Sequence, residues 1–138
     1  MVNSFIFTWI GFNGLYGLFN SIEKNNGSKF ELIDKLLDKT ICDRIILNHS
    51  NILDELQSYK LESKNGKKWS DDLRKKREEK ADSVQIIKSA LNCISEVRNQ
   101  VFHEAPSPTD INERVKNCKL ILMPIATICL KNFVTYSS

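Results

Sequence analysis

The sequence has no C-x-x-C pair, no H-E-x-x-H, no glycine-rich phosphate loop and no strand-like alternation of apolar and polar residues. The common signatures of metal sites, nucleotide loops and sheets are therefore missing. The four cysteines, Cys42, Cys93, Cys118 and Cys129, stand far apart and fall mostly on apolar helical faces. That spacing predicts reduced core thiols in a cytoplasmic protein rather than disulfides or zinc ligands. No apolar run approaches the roughly 18 to 20 residues of a membrane span. The opening residues also lack the basic region and small-residue cleavage site of a secretory leader. No membrane partner, metal or cofactor is expected. Charge of one sign is scarce too: 20 basic against 17 acidic residues give a formal net charge of +3. So small an excess is compatible with a polyanionic partner without demanding one.

What is present reads as helix. The 138 residues are 41% hydrophobic and 27% charged, an ordinary globular composition in a chain long enough for one domain, 1–138, with its own core. Residues 3–23 predict a first helix, with Phe5, Ile6, Trp9, Ile10, Phe12, Leu15, Tyr16 and Leu18 spread over most of its circumference. A helix apolar nearly all round is expected to be buried nearly all round. Gly11, Gly14 and Gly17 share an edge of it, which predicts that another backbone comes close there. Asn25-Asn26-Gly27 is a stop and turn, and Ser28 with Glu31 has capping-box spacing for a second helix carrying Phe30, Ile33, Leu36 and Leu37. Helical periodicity resumes from about Asp43 to Tyr59, with a polar break at Asn48 to Asn51 that holds His49. A lone histidine there reads as a capping or solvated group.

Residues 60–80 change character, with nine basic residues against five acidic ones and a local charge of +4. The rest of the chain is close to neutral. Asn65-Gly66 signals a turn, and Ser70 followed by Asp71 and Asp72 predicts a helix start. A charge-rich connector is ordinarily solvated surface. Its functional reading is a basic rim for RNA phosphates, with Lys67, Lys68 and Arg74 as contacts and Trp69 stacked on a base. Trp69 has an alternative use, pinning the connector to the bundle. Ser107-Pro108-Thr109-Asp110 then starts a last helix marked by Ile111, Val115, Cys118, Leu122, Ile125 and Cys129, which Pro124 is expected to kink or split. The fold class expected is all-α, a four- to five-helix up-and-down antiparallel bundle.

The most informative stretch ends the helix that starts near Ser83. Val84, Ile87, Leu91 and Ile94 recur at spacings of three and four, and the next position in the series is Arg98. At about 100° per residue, Arg98 falls inside the arc of Ile87, Leu91, Ile94, Val101 and Phe102. A guanidinium in that arc is costly unless an anion meets it. Asn92, Glu96, Asn99 and His103 form a polar stripe within roughly 60° of one another. Pro106 ends the helix near His103, where the helix dipole favours the imidazolium.

Arg98-Asn99-Gln100-Val101-Phe102-His103 resembles the R-N-x-x-x-H motif of the HEPN superfamily (higher eukaryotes and prokaryotes nucleotide-binding). Trp9-Ile10-Gly11-Phe12-Asn13-Gly14-Leu15-Tyr16 is similar to the W-x-x-F-N-x-x-Y pattern in the first helix of one HEPN group. The final helix falls where that family's does, so the resemblance spans most of the chain. It implies a small helical bundle acting as a metal-independent endoribonuclease, often a toxin or defence protein, in a homodimer that brings two motifs together. An antitoxin or defence-system partner is also implied. Glu104 stands where a small residue is common after the histidine. Ala105 stands where one toxin subgroup carries a tyrosine modified by a nucleotidyltransferase antitoxin, so that mode of control is not expected. The resemblance assigns His103 to proton transfer in 2′-hydroxyl attack on the neighbouring phosphate of single-stranded RNA. Arg98 would meet charge on the phosphorane, and Asn99 would orient the histidine or the phosphate. Two rivals stay open: a non-catalytic HEPN-like module that binds RNA, a nucleotide or a partner protein, and an unrelated helical interaction protein whose Arg98 pairs with a buried acid.

Overall fold

A computed structural model of the chain describes residues 2–23, 29–102 and 108–137. The described residues are all-helical: α1 (Val2–Glu23), α2 (Lys29–Leu36), α3 (Lys39–Asn48), α4 (Ser50–Ser58), α5 (Trp69–Glu78), α6 (Ser83–Phe102) and α7 (Pro108–Ser137). Extended pairing among them is limited to one isolated bridge, Glu62 with Lys68. The turn at Asn25 to Gly27, the Ser28 and Ser107 caps, His103, Glu104, Ala105 and the Pro106 stop lie outside the described residues.

The helices are more numerous and shorter than periodicity predicts, because two polar interruptions outweigh the apolar pattern. α3 starts before Asp43, since the Asp38 carboxylate accepts a hydrogen bond from the Ile41 N–H at 2.8 Å and so caps the helix. It stops at His49, whose backbone N–H turns back onto the carbonyls of Ile45 and Ile46. His49 thus takes the capping role, and α4 begins directly after it. Asn65-Gly66 makes the turn its sequence signals, with Gly66 in the left-handed region at φ 81°. Ser70 does not cap α5, which starts one residue earlier. Its buried hydroxyl instead donates to the Leu56 carbonyl and accepts from the Leu61 N–H, both at 3.2 Å, tying the connector to α4.

α6 and α7 form the centre. α7 packs on α1, α2, α3, α4 and α6, and α6 is covered by α2, α3, α4, α5 and α7. One continuous core joins them, with Leu32, Ile33, Leu53, Leu56, Leu73, Ile87, Leu91, Ile94, Leu122 and Ile125 almost fully buried. All four cysteines are free thiols inside it, and burial pushes Cys42 up to about 11 and Cys93 and Cys129 up to about 12. They are therefore protonated, unreactive core residues at neutral pH.

Two expectations about α1 fail here for want of neighbours, and Pro124 does not split α7. α1 is not buried all round, because it is an outer helix packed mainly on α7 and α2. Phe5, Trp9, Phe12 and Leu15 face the core, while Phe7, Ile10 and Leu18 on the other side are exposed. Gly11, Gly14 and Gly17 lie on that open side, and a Cβ built on any of them meets nothing within 4 Å. Among the described residues no other backbone comes within 4 Å of those positions. α7 runs as one helix through Pro124, which removes one rung of its ladder while Ile121, Leu122 and Ile125 hold the flanking turns in the core. Its stretch Thr109–Thr135 corrects the expectation that no run approaches a membrane span, since it is long and apolar enough, by length and composition, to cross one. In this fold its Ile111, Val115, Cys118, Leu122, Ile125 and Cys129 supply core instead.

Candidate functional site

α6 is core for most of its length and then changes. Ile86, Ile87, Ser89, Ala90, Leu91, Cys93, Ile94 and Val97 are buried, whereas nothing from Arg98 to Phe102 is. Arg98 keeps the azimuth of Ile87 and Leu91 but lies where the bundle runs out, so it is half-buried and Phe102 is 56% exposed. This corrects the expectation of a cation and a phenylalanine on a buried face, and it removes the desolvation cost that expectation carried.

Among the described residues the arginine is held by an amide and a ring. Its Nη1 donates to the Asn99 Oδ1 at 3.0 Å, and its guanidinium lies 5.2 Å from the Phe102 ring centroid. Asn99 is held in turn, donating from Nδ2 to Glu96 Oε1 at 3.4 Å. No carboxylate pairs with Arg98 among the described residues. Among the described residues the cation is thus oriented and has no acid upon it, which suits an anion-binding group. His103 follows Phe102 directly in the chain and lies outside the described residues.

A second arginine stands beside this helix end and gave no signal in the sequence. Arg114 of α7 donates to Gln100 Oε1 at 2.8 Å and lies 4.7 Å from the Tyr59 ring centroid. Asn117, one turn further, donates to the Tyr59 hydroxyl at 2.9 Å. Burial pushes that phenol above its ordinary range against the lowering effect of the Asn117 hydrogen bond, so Tyr59 stays neutral at pH 7. Gln100 also donates to the Lys60 carbonyl at 3.5 Å. The polar pattern Arg114-x-x-Asn117 beside the apolar stripe of α7 is the only trace of this network a sequence could carry.

The basic connector divides. Lys68 and Arg74 line a groove of about 450 Å³ together with Tyr59, Lys60, Glu62 and Asp71. Lys67 lies with its Nζ 5.8 Å from the Trp69 ring centroid, and Trp69 is half-buried against the core. The tryptophan therefore pins the connector. Much of the positive charge is already met: Arg74 by Asp71 at 2.8 Å, Lys76 by Asp72 at 3.1 Å and Arg77 by Asp54 at 2.7 Å. Arg98 and Asn99 are brought together, and so are Lys68 and Arg74. No hydrogen bond or ion pair links the two pairs among the described residues, and Gln100, which donates to the Lys60 carbonyl at the groove, lies on nearly the opposite side of α6 from Arg98.

No protein-family model, no curated protein and no solved structure matches the chain. Its function is therefore argued from the geometry above and from the motif alone.

Proposed function

We propose that this chain is a HEPN-type endoribonuclease of the cytoplasm that cleaves single-stranded RNA without a metal ion, in a toxin or defence role. The observation that carries the reading is Arg98, held by Asn99 and Phe102 with no acid upon it among the described residues, at the end of the helix that leads into His103. In the proposed reaction the ribose 2′-oxygen attacks the adjacent phosphorus while histidine takes its proton. The P–O5′ bond then breaks as the leaving oxygen is protonated. Arg98 meets the charge that builds on the non-bridging oxygens, and Glu96 holds Asn99 so that Asn99 holds Arg98. One Arg–His pair supplies few of these groups, so two copies are proposed to meet at the ends of their α6 helices in an up-and-down HEPN-like bundle. The exposed Phe102 and the uncharged open side of α1 support self-association. Lys60, Lys68 and Arg74 are proposed to follow the RNA backbone, with Lys67 and Trp69 shaping that rim.

The test is incubation of the purified protein with mixed RNA in excess chelator, followed by analysis of the product ends. The reading expects cleavage that leaves 2′,3′-cyclic phosphate and 5′-hydroxyl ends, since the nucleophile is the neighbouring ribose. A requirement for divalent metal, or 5′-phosphate products, contradicts it.

A further inference from the structure

The ribonuclease reading leaves one concave site unused. Where α3 meets the second half of α7 there is a pocket of about 300 Å³, at the small end of the range for small-molecule sites. Ile41, Ile45, Pro124 and Ile128 give it an apolar wall. Its polar groups are Arg44, Asn48, His49, Lys131 and Asn132, and no aspartate or glutamate lines it. Lys39, Arg74, Lys76, Arg77 and Lys88 each pair with a carboxylate, whereas neither Arg44 nor Lys131 does so among the described residues.

The neighbouring side chains are set in place. His49 Nδ1 lies 2.8 Å from the Ile45 carbonyl, which can only accept, so Nδ1 carries the proton and Nε2 is left outside that bond. Asn132 donates to the Leu36 carbonyl at 2.7 Å, which fixes its amide while its oxygen remains uncommitted. Two cations with no carboxylate upon them among the described residues beside an apolar wall make a positive rim that suits an anion with an apolar body.

We propose that this pocket binds a small phosphate monoester with a compact planar or apolar body. The phosphate, with its several acceptor oxygens, sits on Arg44 and Lys131, and the body lies against the isoleucines. The amides of Asn48 and Asn132 offer both donors and acceptors to polar atoms at the edge of that body. Lys131 is 17 residues beyond Arg114 on α7, about 25 Å along the helix. The site is therefore separate from the end of α6, and the inference stands whether or not the chain cleaves RNA.

Calorimetric titration of the full chain tests it, with adenosine 5′-monophosphate, adenosine, inorganic phosphate and glycerol 3-phosphate as probes. Adenosine 5′-monophosphate is expected to bind, and each of the other three to bind at least roughly tenfold more weakly, since each lacks the charge or the body. Arg44→Ala and Lys131→Ala are each expected to weaken binding by about tenfold or more with the thermal midpoint unchanged, both side chains being exposed. Adenosine binding as tightly as its monophosphate overturns the role of the cations, and glycerol 3-phosphate doing so overturns that of the apolar wall. No binding of any phosphate probe at millimolar concentration, or unchanged binding when Arg44→Ala and Lys131→Ala are combined, overturns the site.

Discussion

The first four or so turns of α6, to Val97, and its last turn and a half belong to one unbroken helix and are governed by different physics. Up to Val97 the side chains are set by neighbours: α2, α3, α4, α5 and α7 surround the helix, and even its polar Ser89 is fully buried. From Arg98 to Phe102 no residue is buried, and the polar groups are satisfied sideways, Arg98 by Asn99 and Gln100 by Arg114. Packing therefore explains leucine at 91 and isoleucine at 94. It does not explain an arginine, an asparagine and a glutamine in succession where the bundle ends. The proposed anion chemistry would give Arg98 and Asn99 a role there.

Mutations at the two ends of the helix should separate these causes. The largest stability loss is expected from Leu91→Ala, which empties a fully buried position and should cost about 2–5 kcal/mol in a denaturant or thermal melt. A loss below about 1 kcal/mol would mean that α6 is not the centre of the core. A smaller effect is expected at Ser89, whose hydroxyl donates to Asp72 Oδ2 at 2.7 Å. Burial works to raise the Asp72 carboxyl, but the hydrogen bond from Ser89 together with Lys76 and Lys67 outweighs it, and the group is held below its usual range. A carboxylate lowered in the folded state adds stability above its unfolded value, near 4, and loses it as pH falls through the folded one. Ser89→Ala should thus cost about 1 kcal/mol at pH 7, and its deficit against the parent protein should shrink under acid. A deficit that stays constant to low pH would place its origin in packing alone. The smallest effect is expected at the groove: Lys68→Ala should leave the melt unchanged and reduce the slope of RNA affinity against salt by about one. An unchanged slope makes the connector plain solvated surface.

How much of this the sequence carried follows from the range of the interactions. The helical character, the start of α6 at Ser83, the Asn65-Gly66 turn and the capping role of His49 are local, and local spacing revealed them. The open side of α1 was hidden because apolar composition does not say which faces find neighbours. Ser70 looks like a helix cap, yet its hydroxyl serves Leu56, 14 residues away. The charge excess of 60–80 was legible, but the pairing of Arg77 with Asp54 that consumes part of it spans 23 residues. Arg98 and Asn99 could be placed side by side from the helical repeat, whereas Arg114 and Tyr59 reach that helix end only through the tertiary fold.

The proposal that α6 holds the fold up to Val97 and leads into a site of chemistry beyond it is tested most directly by one paired measurement. Parent protein and His103→Ala are compared for thermal midpoint and for RNA cleavage in chelator, on the same preparations. The account predicts midpoints that agree, within about 0.5 kcal/mol of stability, together with complete loss of cleavage. Cleavage that persists in His103→Ala would contradict it.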